Sequence, residues 1–405
     1  MFEKALITRT GNTDLAVDAG LLAETLFFYG STQLLLNRGA LMGLCQTLPR
    51  DDLLALLKHE RMQLSYLNTA FVTLSSGPFA AMQFTAMQMA SAGKEKRIPN
   101  YQEEIEEVLG RALGTGASTR NLTRALTDKA TPFRFGQRTL KMEEILEAAR
   151  ADLANRGDLA KAVRIALNKL VPTAILPPTI RFEMVPINSG GFLIDTNLDF
   201  KMLNVEYHKL VPPSHSTVTT EFLLSFILDA RCESAFAASY MAELVTAPLF
   251  SELIRAKHFS FLRPREDISA AIDEFPQIVL PGFPTIRETI NSGAKTIVDF
   301  LKLLDQADQF KSWLQTVNPD RGLIAEYVTK ATEKSWADNL PTKSVRFVIA
   351  NGIGLAAEAV APSGLGVAAG LGFSAIDTFY LDKLLNGWKP NHFIEGPYRE
   401  FVSRS

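Results

Sequence analysis

The sequence is poor in the residues that build metal and disulfide sites. Its 405 residues include only 2 cysteines and 5 histidines. Cys45 and Cys232 stand far apart and form no CxxC motif, so neither a disulfide framework nor a zinc cluster can be built from them alone. Cys232, in the helical pattern LDARCESAF, is interpreted as a small core residue. We therefore expect no cofactor and no bound metal, and a reducing cytoplasm as the location.

The commonest catalytic signatures are also missing. The sequence contains no GxxxxGK[ST], HExxH or GxSxG motif, which argues against the usual P-loop nucleotide sites, zinc proteases and serine hydrolases. The pattern GxGxxA does occur from Gly352. It is not interpreted as a dinucleotide site, because Pro362 ends the following helix too early for a βαβ unit.

Two short segments contain residue types that bind ions in other proteins. EYHKLVPPSHS places His208 and His215 near Glu206, the residue types of a two-histidine, one-carboxylate metal site, but a solvated loop is the simpler interpretation. DTNLDF opens like a calcium loop at Asp195, yet Phe200 stands where such a loop needs glycine. The acidic residues of that segment are interpreted as structural.

The charge balance gives little attraction for a polyanion. A formal net charge of −2 supplies no global positive field that would hold phosphate groups, so nucleic acid is not expected as a partner. The first twenty residues contain no basic segment followed by an apolar run, and a secretory signal is not expected.

The hydrophobic patterns predict an α+β fold. KALITRT and STQLLLNRG are typical of strands, and LLAETLFFYG and RDDLLALLKHE of helices. The stretch from Met62 to Met89, broken by Ser-Gly-Pro, predicts a hairpin that closes a small N-terminal sheet. A second hairpin is predicted around NSGG at 188–191, within long amphipathic helices.

The predicted organisation has three parts. A small mixed α/β domain covers 1–91, and the charged segment 92–100, which carries Pro99, is the candidate linker. A helical region with the inserted β-hairpin covers 101–215. A helical domain covers 216–405 and contains a Gly-rich apolar helical hairpin at 345–387.

This hairpin is the most unusual feature of the sequence. Its two helices carry small residues at four-residue spacing, which allow close helix packing in lipid or in a protein core. Glu358 and Asp377 oppose burial in lipid, whereas flanking lysines favour a cytoplasmic location of both ends. Both a buried hairpin and a membrane-active or oligomerising hairpin stay open. The residues predicted to make these packing or membrane contacts are Gly352, Ala356, Glu358, Gly364, Gly366, Ala368, Gly370, Gly372 and Asp377.

Two segments resemble a family of uncharacterised bacterial proteins. They are residues 310–396, which include NGIGLAAEAVAPSGLGVAAGLGF, and LFFYGSTQLLLNRGAL near the front. The resemblance implies a bacterial, cytoplasmic protein with an accessory function such as phage defence. It carries over no catalytic residue.

The sequence therefore favours a non-enzymatic function. The leading hypothesis is a partner-recognition or defence-related protein that binds a protein partner or itself, in the cytoplasm or at the periphery of the inner membrane. One alternative is a soluble hydrolase or nuclease whose site is assembled from scattered Asp, Glu and His. The other is a purely soluble scaffold or partner-binding subunit.

Overall fold

The computed structural model describes most of the chain. The described residues are 3–10, 17–76, 81–88, 101–135, 140–187, 191–213, 217–280, 282–317, 323–331 and 390–403. The predicted linker 92–100, the Gly-rich hairpin 345–387 and all the residues predicted to make its contacts lie outside them.

The described chain is α+β, as predicted. The strands are β1 (Lys4–Ile7), β2 (Ser31–Leu36), β3 (Met62–Tyr66), β4 (Thr69–Ser76), β5 (Ala81–Gln88), β6 (Ala130–Pro132), β7 (Phe182–Pro186), β8 (Phe192–Thr196) and β9 (Glu243–Val245). The helices up to β9 are α1 (Ala19–Phe28), α2 (Arg38–Thr47), α3 (Arg50–Lys58), α4 (Tyr101–Leu113), α5 (Ala117–Lys129), α6 (Met142–Ala154), α7 (Arg156–Leu170), α8 (Phe200–Leu210) and α9 (Thr220–Tyr240). The later helices are α10 (Pro248–Val279), α11 (Ile286–Asn291), α12 (Ile297–Gln306), α13 (Asp308–Thr316), α14 (Leu323–Ala331), α15 (Pro390–Phe393), a π-helical turn (Ile394–Tyr398) and α16 (Arg399–Val402).

Five strands form a parallel sheet in the order β6-β3-β2-β1-β9. The chain moves outward from β1 through β2 and β3 to β6, and β9 is added on the other side of β1. β1 and β2 are buried on both faces, which is typical of parallel strands, and this burial explains the apolar runs from Ala5 to Ile7 and from Leu34 to Leu36. Because the strands are parallel, all their carboxyl ends meet at one edge.

The hairpins form a second, antiparallel sheet in the order β4-β5-β8-β7. The hairpin around NSGG is confirmed, since β7 pairs antiparallel with β8. The expectation that the first hairpin closes the N-terminal sheet is wrong. β5 instead pairs with β8 through Met82 and Phe192, where Phe84 and Phe192 pack edge to face at 5.6 Å.

The described contacts divide the chain differently from the three predicted parts. One compact unit comprises 1–3, 19–30 and 263–405, and the other comprises 4–18 and 31–262. The latter, called here the sheet unit, contains both sheets. The predicted boundary at 216 would separate β9 from β1, yet the two strands pair directly from Ala5 with Glu243 to Ile7 with Val245. A parallel partner strand can come from distant sequence, so local composition did not reveal it.

Helix α9 packs on the parallel sheet through a buried polar network. The Tyr240 hydroxyl donates to Ser65 Oγ at 2.7 Å, and Gln33 Nε2 donates to the same oxygen at 3.1 Å. Ser65 lies on β3 and Gln33 on β2, so these bonds fix the C-terminal end of α9 against the sheet. Buried hydrogen bonds of this kind specify one arrangement of helix and strands.

The other unit has an aromatic core. Phe27 stacks on Phe310 and Phe393 with ring centroids 5.4 and 5.9 Å apart, and Phe310 lies 5.3 Å from Trp313. Such ring pairs add to the free energy of simple apolar burial. Within the described ranges, no helix combines the length and the apolar character needed to cross a bilayer.

Gly20 allows α1 and α11 to approach closely. A Cβ at Gly20 would collide with the carbonyl oxygen of Arg287 and lie 2.7 Å from its Cα. We expect Gly20→Ala to lower the free energy of unfolding by about 1–3 kcal/mol through overpacking. Gly110→Ala is the matched control, because a Cβ there meets no atom within 4 Å and should stabilise α4 by about 0.5–1 kcal/mol. Chemical denaturation compares the two variants, and equal changes would contradict the close approach.

Candidate functional site

A small polar pocket lies at the carboxyl edge of the parallel sheet. It has a volume of about 100 Å³. Its walls come from the segments that follow three adjacent strands, with Thr8 and Arg9 after β1, Asn37 after β2, and Thr69 shortly after β3. We call this the sheet-edge pocket.

The position is the place where open parallel sheets usually bind ligands. β1 pairs with β2 on one side and with β9 on the other, and the strand order reverses between β1 and β9. Crevices outside the carboxyl ends of strands at such a reversal are the general ligand sites of this architecture. Two residues flank this point. Thr246 directly follows β9, and Arg9 follows β1 after Thr8.

Helix α9 supplies the remaining wall of the pocket. Asp229, Cys232, Glu233 and Phe236 all line it. Their spacing of three, four and seven residues places them on one face of a helix. The helix therefore presents two carboxylates to the loops at the sheet edge.

Arg9 holds these carboxylates together. Its Nε lies 2.5 Å from Glu233 Oε1, and its Nη1 lies 3.2 Å from Asp229 Oδ2. The guanidinium also stands over the Phe250 ring, 4.2 Å from the centroid, a favourable cation–π distance. The Thr246 hydroxyl donates to Glu233 Oε2 at 2.5 Å.

The two carboxylates differ in environment. The Glu233 side chain is 2% exposed, whereas that of Asp229 is 26% exposed. Burial raises the pKa of Glu233 to about 7, although the charge of Arg9 opposes the change. Burial also raises the pKa of the Cys232 thiol well above its ordinary value, so this cysteine is a protonated core residue rather than a nucleophile. The interpretation of Cys232 as a core residue is confirmed.

Among the described residues that line the pocket, Arg9 is the one cation, so these residues carry an excess of negative charge when both carboxylates are ionised. Asp229 is the more accessible carboxylate and can accept hydrogen bonds from a ligand. Glu233 is engaged by Arg9 and Thr246 and positions them. Phe71 and Phe236 give the pocket an apolar wall, so the site is suited to a small ligand with N–H or O–H donors.

The candidate ion ligands have structural roles where the structure describes them. Asp199 caps α8 by accepting from Lys201 N and Met202 N, and Asp195 pairs with Arg181 at 3.3 Å. Glu206 accepts from Lys209 Nζ and from the Thr173 hydroxyl, and His208 Nδ1 lies 3.2 Å from Val211 O. His215 is outside the described residues. Across the described ranges, no three His, Cys, Asp or Glu side chains are arranged to hold a metal ion.

Sequence reasoning did not identify Arg9, Asp229 or Glu233 as a site. One local signal was present, because DARCESAF places polar residues at three- and four-residue spacing on an otherwise apolar helix. Nothing in the sequence connected that face to Arg9, which is 220 positions or more away from it. Pairing of β1 with β9 brings them together.

Comparisons of the chain with protein-family models, with curated proteins and with solved structures found no match. What the sheet-edge pocket does must therefore be inferred from its own residues.

Proposed function

We propose that this protein is a non-enzymatic recognition protein whose sheet unit binds a small polar ligand at the sheet-edge pocket. The observation that carries the proposal is the convergence of Arg9, Asp229 and Glu233 where the strand order reverses. The ligand class that fits is a small amine or guanidine, because the pocket has excess negative charge and a partly exposed carboxylate.

For the wider role of the protein, we propose the one that the sequence favours. The ligand-bound sheet unit would act in a bacterial, cytoplasmic protein that recognises a partner or associates with itself, with a role such as phage defence. The Gly-rich hairpin at 345–387 would supply the oligomerising or membrane-active element. Two buried free cysteines, Cys45 and Cys232, support a reducing compartment.

One observation favours the hydrolase alternative. Asp229 and Glu233 lie side by side, and a buried carboxyl with a pKa of about 7 is suited to general acid–base chemistry. Its near-complete burial and its contacts with Arg9 and Thr246 favour a positioning role instead. Turnover of p-nitrophenyl phosphate or p-nitrophenyl acetate that disappears in Glu233→Gln would establish the hydrolase and replace the recognition proposal.

The test of the recognition proposal uses ethanolamine and methylguanidine as probes. Calorimetric titration of the full chain at pH 8, above the pKa of Glu233, should show saturable binding of at least one probe. Asp229→Asn should weaken that binding about tenfold, the usual effect of losing a hydrogen bond to a charged group. Asp195→Asn, at an exposed carboxylate of β8, is the control and should bind as the wild type does. Absence of binding by both probes, or equal binding by Asp229→Asn, would refute this ligand class.

A further inference from the structure

A second cavity in the sheet unit has charge of the opposite sign. It has a volume of about 210 Å³ and is lined by residues of α6, α7, α9 and α10. Its described lining includes three cationic side chains, Lys161, Arg231 and Lys257, and two carboxylates, Asp152 and Asp158. The described lining residues therefore carry an excess of positive charge.

Asp152 organises two of these cations. Its carboxylate is 11% exposed and accepts two hydrogen bonds from Arg231, from Nε at 2.9 Å and from Nη2 at 2.6 Å. Lys257 Nζ contacts Oδ1 of the same carboxylate. One negative charge thus holds two positive charges, and the fork geometry fixes the guanidinium plane.

Both cations retain donor capacity beyond Asp152. A guanidinium has five N–H donors and an ammonium has three, and the Asp152 contacts use two from Arg231 and one from Lys257. Lys161, on α7, adds a third cation to the lining. Asp158 is occupied locally, since its Oδ2 accepts from Asn155 Nδ2 at 2.6 Å.

The rest of the lining is apolar. Ile227, Leu253 and Leu159 line the cavity beside the charged groups. A ligand that fits would combine an oxyanion with a compact apolar part. The three cations lie on three different helices. A phosphate group offers an oxygen to each of them, whereas a carboxylate has only two oxygens.

We propose that this cavity binds a small organic phosphate, with Arg231, Lys257 and Lys161 contacting the phosphate group and Asp152 positioning the first two. The cavity is distinct from the sheet-edge pocket. Helix α9 serves both sites, with Asp229 and Glu233 on one face and Ile227, Arg231 and Ser234 on the adjacent face.

Phenyl phosphate is the probe, and benzoate is the comparison anion of similar apolar size. Calorimetric titration of the full chain at low ionic strength should give saturable binding of phenyl phosphate, at least tenfold tighter than the binding of benzoate.

Lys257→Gln, which leaves Asp152 paired with Arg231, should weaken phenyl phosphate binding about tenfold or more. Lys169→Gln is the matched control, because Lys169 is on α7 but pairs with Glu252 at 2.6 Å outside the cavity lining; it should bind as the wild type does.

Lys161→Gln is a second variant in case Lys257→Gln does not fold. Because Lys161 is exposed, its replacement should not change the melting temperature of the ligand-free protein. It should still lower the affinity for phenyl phosphate. Asp229→Asn should leave phenyl phosphate binding unchanged, which separates this cavity from the sheet-edge pocket. No saturable binding of phenyl phosphate would overturn the proposal. Binding unaffected by Lys257→Gln and Lys161→Gln, or equal affinity for benzoate, would overturn it as well.

Discussion

Lys311→Met is expected to lower the free energy of unfolding by about 3 kcal/mol or more, because it removes charged hydrogen bonds from buried carbonyl groups. Lys311 is 4% exposed. Its ammonium donates to the carbonyl oxygens of Leu26, Phe27 and Tyr29, with distances of 2.9 Å to Phe27 and 2.5 Å to Tyr29.

These carbonyls belong to the C-terminal end of α1, where a helix leaves its last carbonyl groups without intrahelical partners. The helix dipole also places partial negative charge there, which favours a cation. Methionine fills a similar volume but offers no donor, so the carbonyls would lose the hydrogen bonds from the ammonium in a buried environment.

The matched control is Lys302→Met. Lys302 is 69% exposed and pairs with Asp299 one helical turn away, and exposed pairs of this kind contribute at most about 1 kcal/mol. Thermal and chemical denaturation of both variants provide the measurement. A Lys311→Met protein as stable as Lys302→Met would show that the ammonium does not cap α1.

Glu233→Gln is expected to remove a fall in stability that the wild type shows between about pH 4.5 and pH 7. The folded-state pKa of Glu233 is raised to about 7 from the ordinary value of 4.5, so the folded protein holds a proton that the unfolded chain releases. The stability contributed by this proton is fully present below pH 4.5 and is lost as the pH rises through 7. A shift of this size corresponds to about 3 kcal/mol.

The variant must leave the other charged groups around Glu233 unchanged, because they also affect its pKa. The charge of Arg9 lowers the pKa of Glu233 and the charge of Asp229 raises it, and both residues are kept in the Gln variant. Denaturation at several pH values should show Glu233→Gln gaining on the wild type as the pH rises to 7 and holding that gain above it. Glu221→Gln, in the first turn of the same helix, controls for the loss of a carboxylate from α9. A constant difference between Glu233→Gln and the wild type would contradict the raised pKa.

Much of the secondary structure was predictable from the sequence. β1, β2, α1, α3 and the β7–β8 hairpin occur where hydrophobic periodicity and turn residues placed them. Each of these signals is local, because helix and strand periods appear within about ten consecutive residues. The α+β class followed from the same patterns.

The arrangement of the strands was not predictable in this way. The sequence did not indicate that β9 pairs with β1, which is more than 230 positions away. It also did not indicate that β5 pairs with β8 in a separate antiparallel sheet. Pairing partners are chosen by packing and by backbone hydrogen bonds between distant segments, and neither leaves a pattern within one segment.

The same distinction applies to function. The sequence by itself determined the α+β class, the scarcity of cysteine and histidine, and the apolar, Gly-rich character of 345–387. Only the tertiary structure brought Arg9 to Asp229 and Glu233, and Arg231 and Lys257 to Asp152. The reason is physical: an ion pair requires a few ångströms of separation in space and sets no limit on separation along the chain.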